Sequence, residues 1–94
     1  MIDDIQVLLP VAHGSEEIEV VIIADILKRA KANVIVASVE KDCEILGSQG
    51  TKIIADMLIN DALDLAHDLI ILPVRWKFVF YLSIKILNLK DLRK

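Results

Sequence analysis

Three short runs of this chain are almost unbroken in aliphatic residues: Ile5 to Val11 (Ile-Gln-Val-Leu-Leu-Pro-Val), Asn33 to Val39 (Asn-Val-Ile-Val-Ala-Ser-Val) and Asp68 to Pro73 (Asp-Leu-Ile-Ile-Leu-Pro). A strand with one wet face alternates polar and apolar residues. Runs without alternation therefore read as strands covered on both faces, the condition of a parallel sheet layered with helices. The first run ends in Ala-His-Gly-Ser, a turn sequence. Beyond it, Glu16 to Lys31 is predicted as a helix. Ser15 is placed to cap it, Glu16, Glu17 and Glu19 lie at the positive end of its dipole, and Lys28, Arg29 and Lys31 lie at the negative end. Ile18, Val21, Ile22, Ile26 and Ala30 supply the apolar stripe at helical spacing. The β-branched run Val20 to Ile23 locally favours a strand, but the caps and the length of the segment outweigh it.

Strand, helix and strand in this order make a right-handed βαβ unit with a parallel pair. Gly47 and Gly50 bracket a turn, Lys52 to Leu58 reads as a short edge strand or extended segment, and Asp61 to Ala66 as a short helical turn. Open parallel sheets hold their ligands beyond the C-terminal strand ends, so the loops after Val11, Val39 and Leu72 are where a site is expected.

Charge divides the chain near residue 74. Residues 1–74 hold five basic side chains against thirteen acidic ones, net −8. The rest holds six basic side chains against Asp91 alone, net +5, together the −3 of the whole. Trp76, Phe78, Phe80 and Tyr81, all the aromatic residues, lie in the second part. The expected organisation is one partial domain over 1–73 and a divergent, basic, apolar tail over 74–94. Lys77 and Lys85 interrupt the tail too often for a comfortable membrane span, which leaves contact with a membrane surface as one reading. The other is that the tail was never selected as protein. Val74-Arg75 can be encoded across a splice donor, and the Phe, Tyr, Ile, Asn and Lys content suits AT-rich intron sequence read through. Cys43 is the single cysteine and can form no internal disulfide. The opening Met-Ile-Asp-Asp has no secretory signal character, so a cytoplasmic, reducing setting is the expectation.

The stretch Val7-Leu-Leu-Pro-Val-Ala-His-Gly-Ser-Glu-Glu-Ile-Glu19 resembles the opening strand, glycine turn and glutamate-bearing helix of the ThiJ/PfpI family. Ala24 to Val39 resembles the next helix and strand of that family, and Asp68 to Pro73 the strand that in relatives leads into a Gly-Gly pair. The likeness covers roughly residues 5 to 73 and is greatest to plant members. It implies an α/β, flavodoxin-like (Rossmann-like) parallel sheet, of which this chain holds the N-terminal half. It also implies an activity of glyoxalase or deglycase type on methylglyoxal-like carbonyls, a role in stress response, and dimerisation.

Family chemistry uses a cysteine on a strained turn, a glutamate that hydrogen-bonds its thiolate, and often a histidine. The resemblance matches the glutamate to Glu19. The cysteine and histidine would lie beyond residue 94, and Leu72-Pro73-Val74-Arg75 stands where relatives continue Leu-Pro-Gly-Gly, which takes away amides that would face an oxyanion. The chain is therefore expected to be cut off before the nucleophile and catalytically inactive. The alternative is an interaction fragment that pairs with itself or with a full-length relative through the first helix. His13 and Gly14, after the first strand, are the candidate substrate-binding residues. Cys43 lies among Lys41, Asp42 and Glu44, which oppose a thiolate, and reads as an inert thiol. His67 reads as a surface residue. No spacing suggests a metal site, and no cofactor or nucleic-acid partner is expected.

Overall fold

The protein is described here by a computed structural model covering residues 5–72. Its centre is strand β1 (Gln6–Val11), flanked on one side by β2 (Asn33–Ser38) and on the other by β6 (Leu69–Ile70). A further short strand, β5 (Met57–Leu58), pairs with β2, so the sheet runs β5-β2-β1-β6, and every pairing in it is parallel. The register of the central pair runs from Gln6 opposite Asn33 to Val11 opposite Ser38. All three strands expected from the aliphatic runs are present: β1 and β2 are each one residue shorter than their runs, and the third run keeps only Leu69–Ile70 as strand.

Around β1 and β2 both faces of the sheet are covered, as their unbroken runs require. The third run, also read as a covered strand, is not, because β6 lies at the sheet edge with Leu69 and Ile70 47 and 40% exposed. Leu8 and Ala12 of the first strand and its exit, together with Ala37 and Val39 next to them, point to one side. There they meet Ile59 and Ala62 of the one-turn helix α2 (Ile59–Ala62). Leu9, Val11 and Val36 point to the other side, toward Val20 of α1 (Glu17–Arg29) and toward Ile45 and Ala55. The period of two along each strand is what divides one run into two cores.

Pro10 interrupts a central strand, where a missing N–H would normally break the ladder. The even-numbered groups of β1 face β6: the Gln6 and Leu8 carbonyls accept from Asp68 and Ile71. The β6 ladder pairs only Val7 and Leu8 with Leu69 and Ile70, so Pro10 lies beyond it and no ladder bond is lost. Each edge strand is introduced by an aspartate that closes a two-bond ring with its neighbour. Asp68 N–H donates to the Gln6 carbonyl while its carboxylate accepts from Gln6 N–H, both at 2.8 Å. Asp56 does the same with Val36, at 2.8 and 2.9 Å.

The expected Lys52 to Leu58 segment is two strands. β4 (Lys52–Ile54) pairs antiparallel with β3 (Glu44–Leu46), an element the sequence reading did not contain, and only Met57 and Leu58 join the main sheet. The short helix begins at Ile59 rather than Asp61.

The first helix differs from expectation in three ways. It spans Glu17 to Arg29, and Lys31 takes a left-handed conformation (φ 71°) that ends it. Glu16, not Ser15, is its N-cap residue, with no side-chain capping bond. And the expected stripe faces outward: Ile18, Val21, Ile22 and Ile26 are 71, 59, 50 and 58% exposed. The face on the sheet is formed by Val20, at 3% exposure, with the half-buried Ile23, Ala24 and Leu27. The helix is aliphatic nearly all round, so its composition supports either face. Among the described residues no helix is long and apolar enough to cross a membrane.

Candidate functional site

The C-terminal end of β1 opens into a turn, Ala12-His13-Gly14-Ser15, that delivers the chain to α1. Gly14 has φ 91°, a conformation that strains any residue with a Cβ, so glycine is required there for its backbone rather than for space. Ser15 is fully buried. Its hydroxyl accepts from the Ala12 N–H at 3.1 Å while its own N–H donates to the Ala12 carbonyl at 3.0 Å. The serine expected to cap the helix instead ties the turn to itself.

The β3–β4 hairpin lies against this turn. Gly14 N–H donates to the Leu46 carbonyl at 2.8 Å, Leu46 N–H donates to His13 Nδ1 at 3.1 Å, and Ser48 N–H donates to the Ser15 carbonyl at 2.8 Å. His13 N–H in turn donates to Glu40 Oε2 at 3.1 Å, which joins the loop after β1 to the loop after β2. Two of the three loops expected to meet at the strand ends do meet. The third, after Leu72, runs outside the described residues, as do the Pro73-Val74-Arg75 departure and the tail.

Glu17 is the residue that the sequence reading passed over. Its carboxylate accepts from the Ser48 hydroxyl at 3.0 Å and from the N–H groups of Gln49 and Thr51 at 3.0 and 3.1 Å, gathering the hairpin turn onto the first turn of α1. Its own backbone N–H is the largest influence lowering its pKa, the Thr51, Gln49 and Ser48 donors add to it, and partial desolvation opposes them. The result is a fall from the ordinary 4.5 to about 2. A Cβ on Gly47 would collide with this carboxylate, which accounts for the glycine at that point. The signal available in sequence was Gly47-Ser-Gln-Gly50, a turn rich in donors.

Glu19, the matched glutamate, lies in the first turn of α1, half-buried and next to the sheet-facing Val20. His13 and Gly14 are close to it along the chain, but both are committed to Leu46. Cys43 is half-buried and packs against the cluster of Leu9, Val11, Val20, Val36, Ile45 and Ala55, and its carbonyl accepts from Ala55 N–H. His67, read as a surface residue, is half-buried. Its Nε2 lies 2.7 Å from the Ala62 carbonyl and must carry the proton, while Nδ1 is enclosed without a partner. Among the described residues no three His, Cys, Asp or Glu side chains converge as metal ligands.

A sequence profile of the DJ-1/PfpI family matches residues 5–73. The chain is 50% identical over 68 residues to protein DJ-1 homolog B of Arabidopsis thaliana, covering 72% of this chain and 16% of the relative. It is 45% identical over 71 residues to homolog A of the same plant, covering 76% and 18%. The fold superposes on oxidised DJ-1 of Toxoplasma gondii with a TM-score of 0.72 at 47% identity, over 74% of this chain and 38% of that one. The chain thus spans under a fifth of the length of the plant relatives.

Proposed function

Because the chain belongs to the DJ-1/PfpI family, we propose that residues 5–72 are the glutamate-bearing N-terminal portion of a glyoxalase- or deglycase-type domain for methylglyoxal-like carbonyls, and that this chain alone converts no substrate. The observation that carries the proposal is the placement of Glu19. It lies on the first turn of a helix that leaves the C-terminal end of the central strand, while Cys43, the chain's single thiol, packs into an apolar cluster. A carboxylate accelerates such chemistry only through a nucleophile within reach. Purified chain is expected to consume methylglyoxal no faster than buffer with an equal concentration of free thiol, and Glu19→Gln to change nothing. A rate well above that control, lost in Glu19→Gln or Cys43→Ser, would overturn the proposal and make Cys43 the nucleophile.

A second reading is favoured by the outward apolar face of α1. Ile18, Val21, Ile22 and Ile26 stand exposed beside a groove of about 330 Å³ that runs between α1 and β4, lined by Val20, Ala24, Val36, Ile53 and Ile54. Such a surface suits pairing with a full-length relative, helix against helix, or with a second copy. Co-purification with the Arabidopsis homologue, abolished by Ile22→Asp, is the expected result. Retention by lipid vesicles without co-purification would move the contact to a membrane surface.

A further inference from the structure

We propose that His13 is a pH-sensitive latch, holding the β1–α1 turn against β3 while its imidazole is neutral and releasing it on protonation. The Leu46 N–H lies 3.1 Å from His13 Nδ1 and donates to it, so Nδ1 must offer a lone pair and Nε2 must carry the proton. An imidazolium has no acceptor, and protonation replaces this bond with two opposed N–H groups. The bond does not act alone: Gly14 N–H donates to the Leu46 carbonyl, so two antiparallel bonds join the turn to one residue of β3. Release therefore loosens the segment that fixes where α1, with Glu19, begins.

The charged residues on the elements around this contact are Glu16, Glu17 and Glu19 at the start of α1, Glu40, Lys41 and Asp42 after β2, Glu44 on β3, and Lys52 of β4, which stands opposite Leu46. Glu40 accepts from the His13 backbone N–H. Glu17 anchors the neighbouring turn, and with a pKa of about 2 it stays ionised across the range in which imidazoles change charge. The hairpin thus keeps its glutamate anchor when the histidine one is protonated and lost.

The test is amide hydrogen exchange at Leu46 in the full 94-residue chain, expressed as protection relative to the intrinsic rate at each pH. It is run at pH 8 and pH 5 on the wild type, His13→Asn and His13→Ala. Asn places a non-titrating oxygen where Nδ1 stood. The wild type is expected to lose roughly two- to tenfold protection on acidification, the worth of one hydrogen bond. His13→Asn should keep its protection, and His13→Ala should be poorly protected at both pH values. Imidazole ¹⁵N shifts at pH 8 should report the Nε2–H tautomer whether or not the variants fold. Equal wild-type protection at both pH values, an equal loss in His13→Asn, or the Nδ1–H tautomer would overturn the latch.

Discussion

Strand β1 and helix α1 are adjacent in the chain and equally aliphatic, yet one is enclosed on every side and the other along a single line. Val7, Leu8, Leu9 and Val11 are all but fully buried, whereas α1 buries only Val20 and exposes four large aliphatic residues. The difference teaches what an aliphatic run can specify. A strand between two covered faces needs no pattern, because either side chain orientation finds a core. A helix has one buried line, and four isoleucines, two valines and a leucine spread around it do not say which line that is. The choice was made at the turn, where Gly14, Ser15 and the Leu46 contacts set the rotation at which the first residues of α1 arrive.

The largest effect that would sharpen this contrast is truncation inside the enclosed strand. Leu9→Ala is expected to cost about 3 kcal/mol in urea denaturation, from lost burial and the cavity left behind. An ordinary surface-sized loss would mean that β1 is not the centre of the core. Next comes the turn that orients the helix. Ser15→Ala strands the buried Ala12 N–H and should cost about 1–3 kcal/mol by the same measurement.

Glu17 contributes through pH. Its folded pKa lies below its unfolded one, so the stability it adds is present above about 4.5 and is lost as pH falls toward 2. An acid titration of unfolding stability should therefore show a decline between pH 4.5 and 2 that is shallower in Glu17→Gln. Identical slopes would mean that the hairpin turn is not held by this carboxylate. The smallest expected effect is at the outer helix face, where Ile22→Ala should change the stability of the monomer by no more than about 0.5 kcal/mol. A concentration-dependent loss instead would show that a partner covers that face.

The three parallel strands, the crossover helix and the placement of Glu19 on its first turn were legible in sequence, because aliphatic runs of strand length and charged helix ends are local signals. His13 was legible as a residue of the strand-end loops but not as an acceptor for a backbone N–H 33 residues away. The β3–β4 hairpin was not legible: Glu44–Leu46 is three residues long with one buried side chain, too short for a period to show. The rings closed by Asp56 and Asp68, the Glu17 clamp and the inward face of α1 were not legible either. Each joins residues far apart in the chain, and a hydrogen bond or a buried face exists only once the backbone has brought its two sides together. Local propensity determined which elements this protein has. The geometry of the assembled sheet and turn decided which side of each one meets the core.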